Sequence, residues 1–353
     1  MSGRPGNTVP VARLAEFSAR IDVRSPAEFA LDHVPGAHSH PVLDDAQRAL
    51  VGTLHQQDSA FAAKKVGAAL VARNIAAMLE SAFDAHDRDW RPLVYCWRGG
   101  KRSGALTHVL NEIGWKAVQL EGGYKAYRRH VIDELQRLPQ QFSYRVICGV
   151  TGSGKSKLLL ALEAAGAQVL DLETLASHRG SLLGDLPDAP QPSQKGFESL
   201  LRERLLGLDP ARPVYVESES KKVGEIRVPQ NLIERMWQSR CLRVDATTAQ
   251  RLALLRAEYA HFIADPDALH AKLGHLGPLR GSAATERWRA MSAAGEWDAL
   301  VEDLLVEHYD PAYLRSMRLN YPLYDNAAAI ALEGIDDAAF AGAAARVVND
   351  HGG

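Results

Sequence analysis

A cysteine and a lysine carry the sequence's clearest chemistry. Tyr95-Cys96-Trp97-Arg98-Gly99-Gly100-Lys101-Arg102-Ser103-Gly104 puts Cys96 at the head of a loop with three cations and two adjacent glycines. With a strand leading in and a helix leading out, loop amides and the helix N-terminus converge on the sulfur and favour its thiolate. Gly99 and Gly100 permit the backbone angles such a cradle requires. Further on, Gly149-Val150-Thr151-Gly152-Ser153-Gly154-Lys155-Ser156 matches GxxxxGK[ST] at every position. In that pattern Gly149, Gly152, Ser153 and Gly154 wrap the backbone around a phosphate, Lys155 adds a point charge, and the Ser156 hydroxyl can hold Mg2+. The motif indicates a di- or triphosphate site and leaves the rest of the ligand open.

Other groups converge on the second motif. Tyr215-Val216-Glu217-Ser218 is an apolar run that ends in Glu, where an ATPase of this pattern carries Asp. Asp171, Glu173, His178 and Arg179 follow the run Gln168-Val169-Leu170, and Gln194 opens a helical segment. They are candidates to surround a ligand, because open α/β sheets bind ligands beyond the carboxyl ends of their strands.

Two series of elements must position these groups. Ile21-Asp22-Val23, Leu93 to Cys96 and Ala117 to Leu120 read as buried strands, separated by helical spacing at Val66, Leu70, Ile75 and Met78 and at Leu106, Val109, Leu110 and Ile113. Tyr144 to Cys148, Gln168 to Leu170, Val214 to Val216 and Cys241 to Val244 repeat the alternation, which predicts an α/β fold with a parallel sheet in each half. Arg137-Leu138-Pro139-Gln140-Gln141 is the best linker, since proline disfavours helix at the residue before it. The expected domains are 1–138 and 139–353, the second with a helical lobe at about 247–318.

Length and composition agree. A chain of 353 residues suits two domains, and 46% hydrophobic with 24% charged residues is globular rather than disordered. No apolar run approaches the ~20 residues that cross a bilayer, and the N-terminus lacks a signal-peptide core, so a cytoplasmic protein with no membrane partner is expected. Cys96, Cys148 and Cys241 are 52 and 93 residues apart, which fits neither a disulfide framework nor a zinc site. The net charge of -2 hides two basic stretches: 98–129 holds seven Lys/Arg against two acids, and 221–256 eight against three.

The first half resembles the rhodanese family over roughly 12–135. Ile21-Asp22-Val23-Arg24-Ser25-Pro26-Ala27-Glu28-Phe29 and His33-Val34-Pro35-Gly36-Ala37-His38 look like that family's upstream signatures, with the Cys96 loop in the catalytic position. The resemblance implies a rhodanese-like parallel sheet and a cysteine that carries a chalcogen atom, with Asp22 and Arg24 structural. Five residues separate Cys96 from Arg102, one more than the common sulfurtransferase loop, which predicts a wider cradle. The stretch from Val42 to Arg91 is also longer than a plain rhodanese needs.

Both motifs together, over about 12–320, are similar to the tRNA 2-selenouridine synthases, a rhodanese domain followed by a P-loop NTPase-like α/β domain. The likeness includes Val51-Gly52-Thr53-Leu54, the Cys96 loop through Ser103, His178-Arg179-Gly180-Ser181, Gln191 to Glu198 and Val216 to Gly224. Residues after Asn320 align to nothing. The resemblance implies two steps at the tRNA wobble 2-thiouridine: S-geranylation by geranyl diphosphate, then replacement of geranylthiol by selenium from selenophosphate. Cys96 would carry a perselenide or position selenophosphate, with Trp97, Arg98, Gly99, Gly100, Lys101, Arg102 and Ser103 forming the selenium loop. Geranyl diphosphate and selenophosphate are then co-substrates, Mg2+ a candidate ion at Ser156, and no tightly bound cofactor is expected. The partners implied are the anticodon stem-loop and an enzyme that supplies selenophosphate. Lys125, Arg128, Arg129, Arg227, Arg235, Arg240 and Arg243 are candidate tRNA phosphate contacts, and Trp97 could stack on the uridine. Two other classes stay open: a P-loop kinase or NTPase with a regulatory rhodanese module, and a cysteine phosphatase, since C-x5-R also describes the Cys96 loop.

Overall fold

Short apolar runs, each closed by a turn or a capped helix, build two parallel sheets. The computed structural model describes residues 8–352. It separates into a first unit through Leu135, joined by Pro192–Glu203, and a second unit made of Gln136–Gln191 and the chain from Arg204.

The first unit contains β1 (Thr8–Val9), β2 (Arg20–Asp22), β3 (Ala37–Ser39), β4 (Leu93–Tyr95) and β5 (Val118–Leu120), all parallel in the order β1-β5-β4-β2-β3. Each strand ends after two or three residues, so the loops that follow do the positioning. The long stretch after Val42 becomes two helices, Asp45–Gln57 and Ala60–Ser81. Asp44 and Gln47 form a reciprocal capping box at the first, and Ser59 caps the second. Ile75 of the second helix joins Ile21, Val23, Val94, Leu106 and Leu110 in the core beneath Cys96.

The second unit contains β6 (Tyr144–Cys148), β7 (Gln168–Leu170), β8 (Val214–Glu217), a hairpin of β9 (Lys222–Val223) and β10 (Ile226–Arg227), then β11 (Arg240–Asp245) and β12 (Ala328–Ala331). The main sheet is parallel in the order β12-β11-β6-β8-β7. β6 lies at the point where the winding reverses, which opens a crevice at its carboxyl end. Helices from Thr248 to Asn320 form a lobe with its own core of Phe262, Leu269, Leu273, Trp288, Leu300 and Leu304. The unaligned segment after Asn320 completes the sheet: β12 pairs with β11, and Phe340, Ala343, Ala344 and Val347 of the helix Asp337–His351 enter the same core as Leu158 and Leu162.

The division at Leu135 lies close to the linker read from Pro139. One segment differs from the sequence-based boundary, because Pro192–Glu203 goes with the first unit. There Ser193 Oγ donates to Leu31 O, Arg128 pairs with Glu198, and Arg202 pairs with Glu134. Local patterning records no such return of a distant helix.

Candidate functional site

In the first unit, Cys96 follows β4 and is only 4% exposed. Gly100 adopts φ +74 and caps the helix Lys101–Ile113, which starts beside the sulfur. Ser103 Oγ donates to Cys96 Sγ at 3.4 Å, and Gln119 Nε2 reaches both Ser103 Oγ at 2.9 Å and Gly100 O at 3.0 Å. Across the loop, Tyr124 N and Lys125 N donate to Cys96 O and Trp97 O, each at 2.9 Å. This approach demands Gly123: a Cβ there would lie 2.4 Å from Cys96 O, and φ is +59.

The upstream signatures brace this loop. Glu28 accepts from Ser25 N at 3.1 Å in a capping box and from Arg102 Nη1 at 2.9 Å. Arg24 and Asp22 form a fully buried ion pair at 2.6 Å, and Arg24 also donates to Asp32 O, so both are structural. Arg98, Gly99 and Lys101 stay exposed, and Trp97, 39% exposed, leans on Tyr124 with ring centroids 5.4 Å apart. The cradle thus combines a shielded sulfur, a helix N-terminus and a cationic rim, which suits an anionic donor.

In the second unit, the phosphate loop joins β6 to the helix Lys155–Ala164. Gly149, Gly152 and Gly154 all have positive φ, and a Cβ at Gly152 or Gly154 would come within 2.7 Å of Leu255 or Phe340. Arg251 Nε donates to Thr151 O at 2.9 Å while its other nitrogens hold Asp310. Gly149 N donates to Tyr313 Oη at 2.7 Å, and Ser218 Oγ lies 3.0 Å from the same hydroxyl. The loop is therefore tied to the helical lobe as well as to the sheet. Ser153 is buried, and its hydroxyl has no hydrogen-bond partner.

Lys155 Nζ lies 3.5 Å from Glu217 Oε1, and Ser156 Oγ donates to Glu217 Oε2 at 3.0 Å and Glu173 Oε2 at 3.3 Å. Oxygens of Glu173, Glu217 and Glu219 lie within 4.8 Å of one another. Burial, reinforced by Glu217 and Glu219, pushes the Glu173 carboxyl up to about 11. Burial also raises Glu217 and Glu219, against the opposing charge of Lys155. Three crowded carboxyls beside a serine hydroxyl form an oxygen-rich donor set that fits a hard divalent cation such as Mg2+. Ser156, Glu173, Glu217 and Glu219 would be the residues to hold such an ion.

These groups line a cleft of about 510 Å3, together with Asp171, His178, Arg179 and Tyr259. Asp171 caps the helix Leu172–Ala176. His178 Nε2 lies 3.2 Å from Asp185, while Nδ1 accepts from Gly180 N, and burial lowers its proton affinity. Arg179 stacks over Tyr259 at 5.3 Å, with a buried Nη1 that has no hydrogen-bond partner, as suits a cation awaiting an anion. Gln194 stands apart: it opens the segment that joins the first unit and donates to Glu198 at 2.9 Å.

The tRNA candidates divide in the same way. Lys125, Arg129, Arg227 and Arg240 are exposed. Arg128 is held by Glu198, Arg235 donates to Phe142 O at 3.4 and 3.3 Å, and Arg243 pairs with Asp245 at 2.8 Å, so these three brace the chain. Reading the sequence missed Glu28, Gln119, Glu219, Arg251 and Tyr313. Glu219 had a signal, two positions beyond Glu217 at a strand end, and the Gly122-Gly123 pair hinted at a close approach. Arg251 and Tyr313 had none, since only folding brings them to the loop.

Two family models match the chain: the rhodanese-like domain over 12–130 and the tRNA 2-selenouridine synthase AAA domain over 142–277. A tRNA 2-selenouridine synthase from Nitrosomonas europaea is 37% identical over 243 residues, 68% of this chain and 63% of that protein. The alignment therefore spans under two thirds of that relative's length. The synthase of Hydrogenovibrio crunogenus is 32% identical over 320 residues, 83% of this chain and 87% of that one, and the synthase of Marinobacter nauticus is 30% identical over 325 residues, 83% and 86%. With both motifs intact and both domains matched in this order, the chain belongs to the tRNA 2-selenouridine synthase family.

Proposed function

We propose that the chain modifies the wobble 2-thiouridine of tRNA in two steps, one at each loop. In the first, the thiocarbonyl sulfur attacks C1 of geranyl diphosphate. The C1–O bond breaks, diphosphate leaves with the electron pair, and the uracil N3 proton is lost. Lys155, the loop amides and Arg179 stabilise the charge gathering on the leaving diphosphate. A divalent ion, when bound at Ser156, Glu173, Glu217 and Glu219, supplies further neutralisation there. In the second step the selenium of selenophosphate attacks C2 and geranylthiolate departs with the C2–S electron pair; water then cleaves the Se–P bond, releasing phosphate and leaving 2-selenouridine. The Cys96 loop holds the selenium donor, and Trp97 offers a ring face to the uracil.

The observation that carries this reading is a shielded thiol under a cationic rim in the same chain as a diphosphate cradle. A thiocarbonyl sulfur leaves poorly and an alkylated one leaves well, so an exchange of sulfur for selenium needs both. A synthesis of selenophosphate must feed the second step, and Lys125, Arg129 and Arg240, all exposed, offer positive charge to tRNA phosphates. No described helix is long and apolar enough to cross a membrane.

One incubation of the full chain with 2-thiouridine tRNA, geranyl diphosphate and selenophosphate tests the reading by nucleoside mass analysis. S-geranyl-2-thiouridine should appear first and 2-selenouridine should follow. Unmodified tRNA, together with ATP turnover that ignores tRNA, would support the kinase or NTPase reading instead.

A further inference from the structure

Gln119 lies on β5 opposite Val94 of β4, the strand that leads to Cys96. Both hydrogens of its side-chain amide are assigned: Nε2 donates to Gly100 O at 3.0 Å and to Ser103 Oγ at 2.9 Å. The partners fix which way the amide points, because Gly100 O can only accept and would repel Oε1 in the flipped position.

The direction of the next bond follows. Ser103 Oγ accepts from Gln119, so its own hydrogen must point elsewhere. Among the described residues two acceptors lie in reach, Cys96 Sγ at 3.4 Å and Gly100 O at 3.5 Å. Gly100 O already accepts from Gln119 and from Gly104 N at 2.6 Å, which uses both of its lone pairs. The hydroxyl is left with the sulfur. Ser103 is 2% exposed and Cys96 4%, so water competes little and the bond is stronger than it would be at the surface.

Gly104 makes room for this arrangement. It sits in the first turn of the helix Lys101–Ile113 with no positive φ to require glycine, where alanine would favour the helix. A Cβ there would stand 3.3 Å from Gln119 Nε2, tighter than an ordinary contact.

We infer that Gln119 is a positioning residue for Cys96: through Ser103 it keeps a hydroxyl hydrogen aimed at the sulfur, which meets the second step as a seated hydrogen-bond acceptor. A bond of this kind favours the anion over the thiol. The inference rests on the proposed role of the Cys96 loop in that step and adds the side chain that orients its sulfur.

The test uses the full chain with Gln119→Met, which keeps the side chain's length and removes both donors, and with Gln119→Glu, which keeps its shape and takes the Ser103 hydrogen for itself. Neither change alters the charged groups near the loop, Arg98, Lys101 and the Arg102–Glu28 and Arg24–Asp22 pairs. Ultraviolet thiolate absorbance, taken as the difference from the matching Cys96→Ser protein, reads the pH midpoint at which the sulfur ionises. Gln119→Met should move that midpoint up by about one pH unit, as for the loss of one hydrogen bond to a charged group. With tRNA carrying S-geranyl-2-thiouridine, it should lower kcat for 2-selenouridine about tenfold while KM for tRNA holds. Ser103→Ala should do the same, and the double variant should be no worse than either single one, because one residue acts through the other. Gln119→Glu should shift the midpoint at least as far, which keeps the test decisive if Gln119→Met does not fold. An unmoved midpoint, an unmoved kcat where the unaltered protein makes 2-selenouridine, or losses that multiply in the double variant overturn the relay. A shifted midpoint in a chain whose unaltered form makes no 2-selenouridine leaves the relay standing and overturns the reading of the second step.

Discussion

The Cys96 loop and the phosphate loop each leave a parallel strand and enter a helix, yet their surroundings differ in kind. Around Cys96 the bracing is mostly neutral, from Ser103, Gln119 and backbone amides, and Arg98 and Lys101 face solvent. Around Lys155 three carboxyls crowd the cradle, and Arg251, Tyr313 and Phe340 tie it to neighbouring elements. The first arrangement suits a small anion and a large substrate arriving from solvent. The second suits a ligand that is largely desolvated and whose charge is met by cations. In the proposed function the same topological device serves two chemistries, and what the flanking side chains add decides which.

The sharpest way to break this comparison is to remove each loop's central group. Lys155→Ala should slow S-geranylation by roughly 10²–10³-fold, the cost of deleting one charge stabiliser at a leaving group. The rate of S-geranyl-2-thiouridine formation in single turnover measures it. Cys96→Ser should leave that rate near normal.

Next come the backbones. Gly154→Ala and Gly123→Ala each meet a positive φ and a contact below 3.0 Å, so each should destabilise the protein by roughly 2 kcal/mol or more in thermal unfolding. Gly99→Ala meets nothing within 4 Å and should stay within about 0.5 kcal/mol, which separates the strained part of the Cys96 loop from its open rim.

The carboxyl cluster predicts a pH effect opposite in sign to those of Glu28 and His40 in the Cys96 unit, whose proton affinities are lowered. Glu173 is raised in the folded state, so its contribution is intact below the unfolded value near ~4.3 and is lost as pH rises toward about 11. Metal-free protein should melt lower at pH 8 than at pH 6, and Glu173→Gln should flatten that slope. Added Mg2+ should restore about 2–4 °C at pH 8, the shift made by ~1 kcal/mol in a domain of this size. A slope unchanged by Glu173→Gln would remove the cluster from the account.

The smallest expected effect concerns tRNA. Arg129→Ala should lower the slope of log affinity against log salt by about one, as for a lost phosphate contact. Arg235→Ala should leave the slope unchanged, since its guanidinium is committed to Phe142 O.

Much of this was legible in the sequence, for physical reasons that differ by element. The strands before Cys96 and Gly149 are short apolar runs beside glycines, and local pattern suffices for such features. β12 escaped because Ala328–Ala331 is alanine-rich, with little strand propensity, and is an edge strand whose pairing with β11 is set by folding. Pro192–Glu203 was placed with the wrong neighbours for the same reason: its ion pairs with Arg128 and Glu134 lie far away in sequence. Cys96, Lys155, Ser156 and Glu217 could be named because motif spacing encodes them. Tyr313 and Arg251 come from a lobe whose helices show only generic amphipathic spacing.

In the proposed function each loop performs one step. The most direct test supplies tRNA already carrying S-geranyl-2-thiouridine, with selenophosphate, to Lys155→Ala and Cys96→Ser proteins, and follows the nucleosides by mass. Lys155→Ala should form 2-selenouridine at close to the unaltered rate, and Cys96→Ser should leave the geranylated nucleoside unconverted. Normal selenation by Cys96→Ser, or its loss in Lys155→Ala, would contradict the division of labour.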